Sequence, residues 1–173
     1  MKRKFISFVM TVMLVMCLFP LTASAADNLV SNWGDFVLAF DSIKDSGGTL
    51  NSTGSSGIGL SVSGENAEAT VSGGTISSTN YQGIEVLGGG TVHVSGGEVT
   101  GRYYGINANG ESLVNVSGGE GKTTHTTSGA GIGLTAGSVA NVSGDAIVTG
   151  GAGGTACGIW AEHQSCEVNI SGS

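Results

Sequence analysis

The sequence predicts an all-β chain: a single-stranded, right-handed parallel β-helix (solenoid) of about five rungs, with a short N-terminal amphipathic capping helix. Three observations carry this. A Gly-Ile pair recurs at Gly57-Ile58, Gly83-Ile84, Gly105-Ile106, Gly131-Ile132 and Gly158-Ile159, at intervals of 26, 22, 26 and 27 residues. A Val/Ile-Ser-Gly signature follows each pair, at Val71, Val94, Val116, Val142 and Ile170, which lie 13, 10, 10, 10 and 11 residues after the repeat Ile. Residues 31 to 45, by contrast, carry Trp33, Phe36, Val37, Phe40 and Ile43 at helical spacing. Two signatures that keep step over five repeats mark stacked units, none of which can bury its apolar face alone.

Three regions follow in chain order. Residues 1 to 25 combine a basic start (Lys2, Arg3, Lys4), an apolar run from Phe5 to Leu21 and Ala23-Ser24-Ala25. That order predicts a secretory signal peptide cleaved after Ala25, hence a secreted, extracellular protein. Residues 26 to 48 form the cap segment. Asn32 can cap the helix with Asp35 three residues on, and Ser46-Gly47-Gly48 ends it. Laid across the end of a solenoid, such a helix covers strand edges and an open apolar core.

Residues 49 to 173 are the rungs, with Thr49-Leu50 starting an incomplete one. Apolar residues alternate within each unit, as in Ile84-Glu85-Val86 and Val92-His93-Val94, and a Gly-Gly turn precedes Val99. Each repeat therefore predicts three short strands and three inward columns. The columns read Ile58, Ile84, Ile106, Ile132, Ile159; then Val71, Val94, Val116, Val142, Ile170; then Ile76, Val99, Gly121, Ile147. Glycine falls at the corners, where positive φ or close backbone approach is needed. The polar run Gly121-Lys122-Thr123-Thr124-His125 predicts a bulging loop in the third repeat. Right-handed coiling is the hand that parallel crossovers favour. The chain stops at Ser173 within a repeat signature, which fits either a piece of a longer protein or an uncapped rung that stacks end to end on another copy.

Composition removes several classes of function. The whole chain has 13 acidic and 6 basic residues, a net charge of -7. Loss of Lys2, Arg3 and Lys4 with the signal leaves Lys44, Arg102 and Lys122 as the only cations, so the mature chain carries -10. That balance argues against nucleic acid and anionic membrane surfaces as partners. No later apolar run is long enough to span a bilayer. All 32 Gly lie after Ala25 without a three-residue period, and the only Pro, Pro20, lies before it, which excludes collagen.

The cap segment followed by Gly-rich Val-Ser-Gly-Gly rungs (Thr70 to Ile76, His93 to Val99, Asn115 to Glu120) resembles the right-handed β-helix, pectate-lyase-like repeats of secreted bacterial surface and adhesin-like proteins. The resemblance spans residues 31 to 173. It implies the fold and an extracellular setting. It does not choose a function, because that superfamily includes polysaccharide lyases, glycoside hydrolases, phage tailspikes and autotransporter passengers.

Catalytic chemistry finds little material. The outward column of the Gly-Ile strand reads Gly59, Glu85, Asn107, Gly133, Trp160, one carboxylate where glycoside hydrolysis needs two, and no paired carboxylate is expected elsewhere. Arg102, beside Tyr103 and Tyr104, is read as a corner residue covering tyrosine surface. His93, His125 and His163 occupy unrelated positions, so neither a metal site nor a cofactor is predicted. Outward Thr70, His93, Asn115, Asn141 and Asn169 form a column in which the amides can hydrogen-bond as a ladder. Cys157 and Cys166 flank the fifth Gly-Ile strand and are read either as a disulfide or as two buried thiols.

Outside the signal and the cap, all the aromatic residues, Tyr81, Tyr103, Tyr104 and Trp160, lie within three residues of a repeat Gly-Ile. With Glu85, Asn107 and Glu162 near them, they predict an aromatic and polar strip suited to polysaccharide or a cell-surface glycan. The expected function is that of a secreted, non-enzymatic structural or adhesive module binding carbohydrate at the cell surface. The rival expectation is a fragment of a carbohydrate-active enzyme, a lyase or hydrolase whose catalytic rungs lie beyond Ser173.

Overall fold

The computed structural model describes residues 48–55 and 57–172. The predicted signal peptide and the predicted capping helix over residues 31 to 45 lie outside the described residues. Within them the fold is a β-solenoid of about five turns, all parallel strands and no helix.

The chain alternates between two sheets. The larger holds β1 (Thr49–Ser52), β3 (Glu68–Ser78), β5 (Thr91–Gly101), β7 (Leu113–Thr123), β9 (Val139–Val142) and β12 (Glu167–Ile170) in that order, with β10 (Ile147–Thr149) also on β7. The smaller holds β2 (Leu60–Ser63), β4 (Ile84–Leu87), β6 (Tyr104–Asn109), β8 (Ala130–Leu134) and β11 (Cys157–Ala161). The predicted second and third strands of a rung fuse into one 11-residue strand in β3, β5 and β7. Each bends at its Gly pair, where the register shifts. The second glycine of the pair takes positive φ, +83° at Gly97, a value that a Cβ would strain.

Between the sheets runs one aliphatic column per inward position. Ile84, Ile106 and Ile132 are in register and fully buried, as are Val86, Ala108 and Leu134 beside them. Val94, Val116 and Val142 face them from the larger sheet, and Ile76 and Val99 close the third side.

Two column members differ from the sequence reading. Leu60, not Ile58, pairs with Ile84. The physical reason is length: Ile58 lies 13 residues from Val71, whereas Leu60 lies 11 away, the distance that Ile159 keeps from Ile170. The outward residue of that rung is therefore Ser61 rather than Gly59. In the fourth rung Val148 pairs with Gly121, while Ile147 pairs with Glu120 and is 56% exposed. The turn Ser143-Gly144-Asp145-Ala146 holds one residue more than its counterparts, and its Ala146 packs against the core.

The bulge predicted from Gly121 to His125 is also corrected. β7 continues to Thr123, whose buried hydroxyl donates to the Arg102 carbonyl at 2.6 Å. The loop starts only at Thr124. A polar residue can remain in the strand because its hydroxyl finds a backbone acceptor at the corner.

The cysteines stay apart. Cys157 opens β11, and Cys166 lies past the turn that leaves its far end. Four strand steps of about 3.3 Å separate the ends of β11, well beyond the Cα spacing of about 7 Å that a disulfide tolerates. Both are free, partly buried thiols in this structure.

Candidate binding surface

The solenoid positions its surface residues by rung, and the corner before the Gly-Ile strand varies in length along the axis, shortest between the second and third rungs. At that corner the second-to-third rung crossing is the short Arg102-Tyr103. The next crossing is the loop 124–129, and the one after is 150–156. With the extra residue of the 143–146 turn, these longer loops account for the last two repeat intervals, 26 and 27 residues, against the 22 before them.

The loops and rings enclose a cleft of about 230 Å³ lined by Tyr103, Tyr104, Ser128, Gly129, Thr155 and Trp160. His125 organises the first loop: its Nδ1 accepts from the Ser128 backbone N–H at 3.2 Å, and its ring stacks on Tyr103 with centroids 5.5 Å apart. Tyr103 meets Tyr81 edge-on at 6.2 Å, and the Arg102 guanidinium carbon lies 5.6 Å from the Tyr103 ring centre. Thr155 Oγ1 donates to the Thr127 carbonyl at 3.1 Å, tying the second loop to the first. Gly133 lets the Tyr104 ring lie on the sheet, since a Cβ there would sit 2.6 Å from a ring carbon.

Of the residues expected in the strip, Tyr103, Tyr104 and Trp160 come together in the cleft. Glu162 is close enough that its charge, after burial, pushes the Tyr104 phenol up from its ordinary pKa. Tyr81 joins through Tyr103 alone. Glu85 and Asn107 share a column with Gly133 and Trp160 on the same sheet face. Glu85 stands three rungs from Trp160, about 14 Å at 4.8 Å per rung. It is therefore no partner for Glu162 in two-carboxylate chemistry, although partial burial raises its pKa. Ser128, Gly129 and Thr155 escaped the sequence reading because loop residues carry no periodicity; the only signal was the extra length of their repeats.

The larger sheet carries two ladders. Asn169 Nδ2 donates to Asn141 Oδ1 at 3.0 Å, and Asn141 Nδ2 donates to Asn115 Oδ1 at 2.8 Å. Asn115 Nδ2 meets His93 Nδ1 at 3.3 Å, and His93 Nε2 lies 3.1 Å from Glu68 Oε1. The amide ladder expected from the repeat is present, and it runs on through His93 to Glu68.

The second ladder corrects the expectation of no paired carboxylate. Glu98 and Glu120 are register partners, and Lys122 Nζ bridges them at 2.9 and 3.2 Å. Lys122 first, then the Thr100 hydroxyl, holds the Glu98 carboxyl below its ordinary pKa. A glycosidase pair needs one carboxyl kept protonated. Here the bridging ammonium instead favours ionised Glu98, and the trio is an ion-pair stack. Because the Glu98 pKa is lowered in the folded state, its stabilisation is present above the unfolded pKa and is lost as pH falls through the folded one. Between about pH 5 and pH 3 the melting temperature of Glu98→Gln should therefore fall less steeply than that of wild type. Parallel slopes in a pH series of thermal melts would show that the trio contributes nothing.

No family model, curated protein or solved structure matches the chain.

Proposed function

We propose that this chain is a secreted, non-enzymatic β-solenoid that binds carbohydrate at the cell exterior through the aromatic cleft. The observation that carries the reading is the meeting of Tyr103, Tyr104 and Trp160 with the hydroxyl-bearing Ser128 and Thr155 in one cleft. A pyranose ring presents an apolar C–H face and a rim of hydroxyls. Aromatic faces take the first, and uncharged hydrogen-bonding side chains take the second. Tyr103 and Trp160 are 38% and 45% exposed, so both offer ring surface without opening the core. The basic start and apolar run before Ala25 support export, and the pectate-lyase-like, adhesin-like character of the Val-Ser-Gly-Gly rungs fits an extracellular structural or adhesive role.

Binding to a panel of polysaccharides should weaken at least about tenfold, or 1.4 kcal/mol, when Trp160 and Tyr103 are both changed to Ala. The melting temperature should stay near that of wild type, since both rings are surface groups. Undiminished binding by a folded double variant rules the cleft out.

A further inference from the structure

The aromatic cleft is poor in positive charge. Among the described residues the cations are Arg102 and Lys122. Lys122 is held by Glu98 and Glu120 on the larger sheet, leaving Arg102, beside Tyr103, as the cation near the cleft. Against it stands Glu162, two residues beyond Trp160 at the end of β11, its backbone N–H donating to the Leu134 carbonyl at 2.9 Å. The groups lining the cleft are three aromatic rings, two hydroxyl side chains and Gly129, with no carboxylate and no cation among them.

From this we infer that the cleft selects uncharged glycans and rejects uronate polymers. The inference rests on the carbohydrate reading above and narrows it. A uronate chain carries a carboxylate on every sugar, and one placed against this cleft would meet Glu162 with a single guanidinium to offset it. The acidic surroundings of the chain add a like-charge field that opposes approach of any polyanion. A neutral hexose loses nothing to that field. Its C–H face stacks on Trp160 or Tyr104, while the Ser128 and Thr155 hydroxyls donate to or accept from its hydroxyls and the Glu162 carboxylate accepts from them. Discrimination therefore comes from what repels the wrong ligand as much as from what holds the right one.

The test sets neutral oligosaccharides of glucose, mannose and N-acetylglucosamine beside oligogalacturonate and alginate, by calorimetry on the mature chain. At least one neutral ligand should bind, with an affinity that changes less than about twofold between 0.05 and 0.5 M salt, because no ion pair is screened. The uronates should bind at least about tenfold more weakly. Glu162→Gln should narrow that gap severalfold by improving uronate binding, while Gln keeps a hydrogen-bonding side chain for the neutral sugar. Binding confined to the uronates, or equal for both classes, overturns this inference and leaves the carbohydrate reading standing. Silence across both panels removes the carbohydrate reading and this inference with it.

Discussion

Gly105→Val should abolish cooperative folding of the solenoid, and Gly105→Ala should destabilise it by about 2–3 kcal/mol. The second residue of the Gly-Ile pair fills the core, but the first is where the two sheets touch. A Cβ built on Gly105 lies 2.6 Å from the Lys122 backbone nitrogen, 2.7 Å from the Gly131 carbonyl oxygen and 2.9 Å from the Lys122 carbonyl oxygen. All three are main-chain atoms held in ladders, so none can swing aside as a side-chain tip would. Relief requires the smaller sheet to lift away from the larger, or the third and fourth rungs to part. Gly83 meets the Gly105 and Thr100 carbonyls in the same way, at 2.7 and 2.8 Å, so the strain would pass up the stack. Against a total stability of about 5–15 kcal/mol for a domain, the extra carbons of Val leave no folded state to measure.

Gly73→Ala is the matched control. A Cβ there meets nothing within 4 Å, and its φ lies outside the left-handed range. The substitution should be neutral, or should stabilise by up to about 1 kcal/mol through the unfolded chain. Urea denaturation followed by circular dichroism separates the two sites. A Gly105→Ala midpoint equal to wild type would sink the close-approach explanation of the repeat.

This pair of glycines also shows what the sequence made legible. The Gly-Ile and Val-Ser-Gly signatures placed Ile84, Ile106 and Ile132 in one column because stacking converts equal spacing into contact. The same rule put Asn115, Asn141 and Asn169 in line. It failed where one rung holds an extra residue, as at Ile58 and Ile147, since period alone cannot say on which side of a turn the insertion is absorbed. The Glu98–Glu120 pair was equally legible: both follow a Gly-Gly turn, with Lys122 two residues further on. It lies on the larger sheet, whereas the outward column of the Gly-Ile strand belongs to the smaller one.

The cleft was half legible. Proximity of Tyr103, Tyr104 and Trp160 to Gly-Ile pairs located their corner, but the direction of the Tyr104 ring depends on the bare backbone of Gly133 one rung on. Ser128 and Thr155 sit in loops shaped by hydrogen bonds rather than by repetition. The cysteines show the converse limit. Nine residues of strand, turn and strand are short enough along the chain for a bridge, but an extended β11 places its two ends apart.

Asn115→Ala should cost about 2 kcal/mol, the largest effect of any single change on the outer faces, because this amide is the joint of the polar ladder. Its Oδ1 accepts from Asn141 at 2.8 Å, and its Nδ2 meets His93 at 3.3 Å. Removal strands one donor on Asn141 and one ring nitrogen on His93, both on half-buried residues, so the loss includes their desolvation as well as the bonds themselves. Asn169 sits at the exposed end of the ladder, and Asn169→Ala strands two acceptors, Asn141 Oδ1 and the exposed Glu167 Oε1, both of which water can reach. That variant should lose less than half as much. Because Asn115 and Asn141 share a bond, the double change to Ala should cost measurably less than the sum of the single changes, by about 0.5–1 kcal/mol. Denaturant midpoints of the three variants decide the matter. Strict additivity, or an Asn115→Ala variant within about 0.5 kcal/mol of wild type, would mean that water serves each amide as well as its neighbour does.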